Sequence, residues 1–132
     1  TIKEHDSESK IFGMDRINPE QPVWCVEGPI DAMMIPNCIA MSGISTRLPR
    51  EDLEYRFIFD NESRSRDTIK NMRKRLQTGY KVVILPERIL HKDLNDMIVK
   101  GNMNVNQILD MLNDNLYVGH AGLLKLKNWS KV

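Results

Sequence analysis

Five carboxylates fall where an apolar run gives out. Glu27 follows Val23-Trp24-Cys25-Val26, Asp60 and Glu62 follow Arg56-Phe57-Ile58-Phe59, and Asp93 and Asp96 come shortly after Val82-Val83-Ile84-Leu85. If those runs are parallel strands, the acids arrive together at one edge of a sheet, the edge where open α/β sheets bind ligands. Carboxylates crowded together repel one another unless a cation neutralises them. Mg²⁺ is the usual partner, held by a few carboxylates while it keeps waters and substrate phosphates. Asp60-x-Glu62 at a strand end places two carboxylates on the same side of an extended segment, which suits a grip on metal. A plainer reading stands beside this one. Acids at strand ends also form turns and cap helices, and Asp93 is placed to cap the helix after it. The conjunction of three strand ends, rather than any one acid, points to a metal.

The elements that must position these acids follow from pattern. Val23 to Val26 is nearly continuous in apolar character, as a parallel strand covered on both faces would be. Gly28 allows a tight strand-to-helix turn, and Pro29 suits the first helical position, where its missing N–H would be unpaired anyway. A short helix is expected from Pro29 to Ile35, burying Ile30, Met33 and Met34, with Pro36 ending it. Ile39-Ala40-Met41 reads as a second buried strand closed by Ser42-Gly43, and 44–54 mixes loop with a helical turn. Arg56 to Phe59 is the third strand. A helix over Arg66 to Thr78 buries Ile69, Met72 and Leu76 and stops at Gly79.

Val82 to Leu85, closed by Pro86, is the fourth strand. A short helix then carries Leu94, Met97 and Ile98 and ends at Gly101. Val105, Ile108, Leu109, Leu112 and Leu116 follow helical spacing, and a last helix gathers Leu123, Leu124 and Leu126. Ahead of the first strand, 1–10 is polar, Ile11 to Ile17 is a small apolar cluster expected to tuck against the domain edge, and Asn18 to Pro22 is a turn. This alternation predicts an α/β fold: about four strands in a mainly parallel sheet flanked by helices, with extra helices at the C-terminal end.

At 132 residues the chain is one domain with a real core. Apolar content of 41% and charged content of 28% fit a soluble globular protein, and a net charge of +1 gives no whole-chain signal for nucleic acid or an anionic membrane. Charge is uneven, however. Arg64, Arg66, Lys70, Arg73, Lys74 and Arg75 stand against a lone Asp67. They read either as a solvated helix face or as phosphate contacts. Arg64 and Arg66, nearest the acid pair, are the better candidates for phosphate, with His91 and Lys92 beside Asp93. No run is long and apolar enough for a membrane span, and no signal-peptide pattern opens the chain. Cys25 and Cys38 lack a CxxC partner, and His5, His91 and His120 are scattered, so no zinc set is present; the cysteines read as reduced core thiols of a cytosolic protein. Tyr55, Tyr80 and Tyr117 have no motif that would make one a nucleophile. Trp24 is expected in the core and Trp129 as a late packing anchor. A start at Thr1 rather than methionine suggests a piece of a longer protein.

Three segments, VWCVEGPIDA, RFIFDNE and HKDLNDMI, resemble in order and spacing the Toprim domain. That domain is shared by bacterial-type primases, type IA and type II topoisomerases, some nucleases and recombination mediators. The run KIFGMDRINPEQPVWCVEGPIDA, with IAMSG, FDNESR and KDLNDMI, is most similar to primases of T-even-type bacteriophages. The resemblance covers Lys10 to Gly101 well and the C-terminal helices less specifically. It implies a Toprim (Rossmann-like) fold, with 1–20 as lead-in from a preceding primase region, 21–101 as catalytic core and 102–132 as a helical extension. By position, Glu27 matches the family's general base or metal-site acid, Asp60 and Glu62 its Asp-x-Asp pair, and Asp93 a further metal-binding acid of primases. Glu62 departs from the usual aspartate, and its longer side chain shifts the metal; Asn95 stands where bacterial primases often carry another aspartate.

The resemblance implies DNA-directed RNA polymerase chemistry, a nucleotidyltransferase making short primers. Asp60, Glu62 and Asp93 would hold Mg²⁺ (or Mn²⁺), and Glu27 would act as base or orient a water. It further implies a single-stranded DNA template, ribonucleoside triphosphates, a replicative helicase partner in a primosome, and host-cell cytoplasm if the chain is phage-encoded. Such primases read template with a separate zinc-binding domain, so this chain alone is expected to bind metal but to make primers poorly or not at all. Three alternatives remain open: a Toprim nuclease using the same acids on water, a topoisomerase-type domain, and a non-catalytic DNA-binding or assembly module.

Overall fold

The computed structural model describes residues 11–41 and 48–132. Residues 1–10, with His5, and 42–47, with Ser42-Gly43 and the start of the 44–54 segment, lie outside the described residues. Six strands form one sheet: β1 (Ile11–Phe12), β2 (Val23–Val26), β3 (Cys38–Met41), β4 (Tyr55–Phe57), β5 (Lys81–Val83) and β6 (Leu116–Tyr117). Their order across the sheet is β1-β3-β2-β4-β5-β6. The four expected strands are the central ones, and neighbours among them pair in parallel, whereas β1 and β6 pair antiparallel at the edges. These two short strands cover the otherwise open edges of β3 and β5, whose backbone groups would be left for another chain to pair with.

Five α-helices and a 3₁₀ turn at Met14–Arg16 complete the described structure: α1 (Pro29–Ala32), α2 (Arg66–Gln77), α3 (Leu94–Val99), α4 (Val105–Asp114) and α5 (Gly119–Trp129). From β2 the chain steps through α1 to β3 on one side, and from β4 it steps through α2 to β5 on the other. Right-handed crossovers running in opposite directions put their helices on opposite faces of the sheet. The core divides accordingly. Trp24, Val26, Cys38, Ala40, Val83 and Leu85 face Ala32 and Ile35, together with Met97 of α3 and Ile108 and Leu112 of α4. Val23, Cys25, Ile39, Met41, Phe57 and Val82 face Ile69, Met72 and Leu76 of α2, together with Leu126 and Trp129 of α5. Alternate residues of each strand serve opposite layers, so the strands have to be apolar throughout. Trp24 and Trp129 are both buried, as expected.

Three details differ from the sequence reading. The helix after Glu27 is a single turn, so Ala32 and Ile35 face inward while Ile30 and Met33 are 62% and 64% exposed. Leu116 does not close the α4 stripe. Asn115 donates from Nδ2 to Met111 O (2.8 Å), the helix stops, and Leu116 pairs with Val83 in β6. Arg75 is buried, its guanidinium 4.3 Å from the centre of the Phe57 ring, while Arg66, Lys70, Arg73 and Lys74 of the same helix are exposed. The cysteines are free and buried in opposite layers, with burial pushing both thiols up, that of Cys38 to about 12. Among the described residues, no helix is long and apolar enough to cross a membrane.

Gly101, which closes the turn after α3, is a point of close approach. A Cβ there would stand 2.7 Å from both Met97 O and His91 Nε2. The first of these is backbone and has no room to move aside. Gly101→Ala is therefore expected to cost ~1–3 kcal/mol, the usual range for overpacking, seen as a lower urea midpoint at unchanged slope.

Candidate metal centre at the strand ends

Strand order reverses between β2 and β4, which places a crevice beyond their C-terminal ends. Ile58 N donates to Cys25 O (2.8 Å), carrying the β2–β4 pairing past Phe57 and bringing Asp60 alongside Glu27. Gly28, in extended conformation, turns the chain into α1 with Pro29 at its start, and Ala32 N closes the turn on Gly28 O (3.2 Å). Asp31 therefore lies within the single turn of α1, back at the same edge. From the other side, Asp93 opens α3 as its N-cap, Oδ1 accepting from Asp96 N at 2.9 Å.

These segments converge. Asp31, Asp60 and Asp93 each offer a carboxylate oxygen lying within 4.8 Å of the others. Oxygens sit about 2.0–2.1 Å from Mg²⁺ and about 2.3–2.6 Å from Ca²⁺, so a shell spans roughly 4 Å or 5 Å, and a separation of up to 4.8 Å is within a small side-chain adjustment of either. The donors are oxygen only, the set that hard divalent cations take. Glu27, Gly28, Pro29, Ile30 and Asn95 line the same open groove, about 360 Å³ in volume. Hydrogen bonds hold two of the three acids: Asp31 Oδ1 accepts from Asn95 N (3.0 Å), and Asp93 Oδ1 serves the cap.

The electrostatics are those of acids short of counter-charge. The carboxyl of Asp60 is raised above its ordinary value, first by partial loss of water and then by the charge of Glu62, with Lys92 opposing. Asp31 is raised, first by desolvation, with Asp93 and Asp96 adding to it and the bond from Asn95 opposing. Glu27 stays open at the rim, yet desolvation and the charges of Asp60 and Glu62 raise it too.

The structure thus brings Glu27, Asp60 and Asp93 to one edge. It places Glu62 differently from the extended pair expected. Glu62 N donates to Asp60 O (2.8 Å), folding the segment into a tight turn, and the Glu62 carboxylate meets Lys92 Nζ at 3.5 Å. Asp96 pairs instead with Lys100 (3.8 Å). Arg64 and Arg66 are exposed where the chain leaves the site for α2. Tyr55 is buried, its hydroxyl donating to Arg50 O at 2.8 Å, which is a structural engagement. Asp31 is the site residue that attention to strand ends alone misses. The available signal was its place in the first turn of a helix that starts at the same edge as Glu27.

No protein-family model matches the chain. Among curated proteins, it is 33% identical over 136 aligned positions to a DNA primase of Enterobacteria phage T4. That alignment takes in 100% of this chain and 39% of the T4 protein. The similarity to primases of T-even phages, read over Lys10 to Gly101, thus extends along the whole chain.

Raised carboxyls mean that the folded, metal-free protein holds more protons than the unfolded chain between the ordinary carboxyl range and the raised values. Stability from these groups therefore falls as pH rises through that window. Asp60→Asn is expected to raise the melting temperature of the metal-free protein at pH 7 by a few degrees. The difference should shrink towards pH 4, where the acids protonate in both states. Thermal melts of the two proteins across pH, with and without Mg²⁺, check this; Mg²⁺ should stabilise the wild type and leave the variant unmoved.

Proposed function

We propose, from that similarity to a phage DNA primase, that this chain is the Toprim part of a primase and holds the divalent cation used in primer synthesis. The observation that carries the reading is the meeting of Asp31, Asp60 and Asp93 from three separate segments. Those residues would hold Mg²⁺, with Mn²⁺ able to substitute, and Glu62 would act from the flank rather than as a principal ligand. Bound there, the cation would supply positive charge at the attacking and leaving oxygens of the reaction.

The reaction is nucleotidyl transfer. A ribose hydroxyl forms a bond to the α-phosphate of an incoming ribonucleoside triphosphate, the bond to the β-phosphate's bridging oxygen breaks, and pyrophosphate leaves. Glu27, open at the rim with a raised carboxyl, is placed to take the hydroxyl proton. Arg64 and Arg66, exposed between the acid turn and α2, and Lys92, paired with Glu62, are the candidate contacts to phosphates of nucleotide or template, which in this reading is single-stranded DNA. A replicative helicase partner and a place in the host cytoplasm follow from the primase reading alone.

In the longer primase, Asp60→Asn and Asp31→Asn should each lower primer synthesis by roughly a hundredfold or more with the fold intact, the scale expected when a site loses a principal charge-stabilising group. Wild-type-like primer yield in Asp60→Asn would sink the assignment. The 132-residue chain alone should bind Mn²⁺ but extend primers poorly, since it corresponds to 39% of the T4 primase. Robust template-directed synthesis by the chain alone would overturn that.

A further inference from the structure

Asp60 and Asp93 stand on two loops that lack regular structure, 58–65 after β4 and 84–93 after β5. The β4–β5 ladder, which pairs Arg56 with Lys81 and Phe57 with Val82, ends before either acid. Asn61 crosses the gap. Its Nδ2 donates to Ile89 O at 2.9 Å and to His91 O at 3.1 Å, and its backbone N–H donates to Lys92 O at 2.7 Å. The residue next to Asp60 thus takes three carbonyls of the segment that leads directly into Asp93. Both amide hydrogens are used, and the pair of carbonyl acceptors fixes which way the amide faces. From the opposite side, Lys131 N donates to Ser63 O (2.8 Å), so the acid loop is tied at both flanks.

We propose that Asn61 is a positioning residue of the metal centre, a clamp that sets Asp60 against Asp93 without itself meeting the cation. This rests on the metal-centre reading above. The amide is suited to the task because it donates twice and carries no charge. Aspartate has nearly the same shape but would turn a carboxylate towards two carbonyl oxygens.

The test uses the 132-residue chain as wild type, Asn61→Ala, Asn61→Asp and Gly122→Ala. Gly122 is a remote control. It lies on α5 against Leu76, where a Cβ would come within 2.5 Å of Leu76 Cδ2, so its variant forces Leu76 to repack without touching the site. Mn²⁺ affinity is read from selective broadening of amide signals near the aspartates. Hydrogen exchange at Asn95 and Asp96, whose amides are bonded to Asp31 and Asp93, is read in metal-free protein.

Both Asn61 variants are expected to weaken Mn²⁺ binding by roughly tenfold or more, the usual effect of losing a group that orients ligands. Exchange at Asn95 and Asp96 should accelerate in both, while Gly122→Ala keeps wild-type affinity. Asn61→Asp is the discriminating variant, because it adds a negative charge beside the centre; tighter Mn²⁺ binding there would show that charge, not clamping, is what position 61 contributes. Unchanged affinity, or unchanged exchange in a folded Asn61→Ala, overturns the clamp. Failure of both variants to fold also overturns it, since a clamp local to two loops leaves both core layers in place. Absence of selective broadening in the wild type overturns the metal-centre reading itself, a result distinct from a wild type that binds and variants that bind equally well.

Discussion

Like-charge repulsion at one edge of the sheet is the constraint on which the rest of this structure bears. Asp31, Asp60 and Asp93 carry oxygens within 4.8 Å of one another, and Glu27 and Glu62 add to the same field. Nothing local would choose such an arrangement. It persists because each acid is attached to an element whose burial is decided elsewhere: β2 and β4 between two apolar layers, α1 through Ala32 and α3 through Leu94 and Met97. Burying one large apolar side chain is worth ~1.5–3 kcal/mol, and both layers contain many. Repulsion among partly solvated acids is small beside that sum, so the core can hold the acids where they would not gather by themselves.

The anchoring bonds explain why capping and metal holding are not rival roles for Asp93. A carboxylate has two oxygens. One oxygen of Asp93 caps α3 through Asp96 N, and one of Asp31 accepts from Asn95 N, the neighbouring amide of the same turn. Both acids are thereby fixed to the first turn of α3 and to each other's neighbourhood. The same bonds lend partial positive charge from the amides, which offsets part of the repulsion before any cation arrives.

Much of this was legible in the sequence, for a reason that lies in periodicity. Strands buried on both faces must be continuously apolar, so their ends are sharp and the acids that follow them stand out. Glu27, Asp60 and Asp93 stand out that way, and the helical spacing of Ile69, Met72 and Leu76 marks α2; its Ser65 cap, whose hydroxyl accepts from Thr68 N at 3.2 Å, is seen only in the structure. What escaped depends on partners far along the chain. The strand at Leu116–Tyr117 exists because β5 has an open edge, and its two residues carry no pattern of their own. Ile30 and Met33 stay exposed because α1 is one turn long, a length that helical spacing alone does not give. Asp31 and the swing of Glu62 towards Lys92 follow from how turns fold back on the groove, which only the assembled sheet defines.

The charge balance of the groove then bears on the order of events in the proposed reaction. Lys92 is the basic side chain seen in an ion pair at the site, and its ammonium, raised first by the bond to Glu62, is already engaged there. Arg64 and Arg66 stand at the margin rather than among the aspartates. A triphosphate meeting this edge without a cation would face several carboxylates with little positive charge to receive it, and the field in such a cleft acts against an approaching anion. In the metal-centre reading the aspartates therefore do more than orient an ion for chemistry: they make nucleotide binding itself conditional on the cation, so the loss of one aspartate should be felt in substrate affinity as well as in turnover.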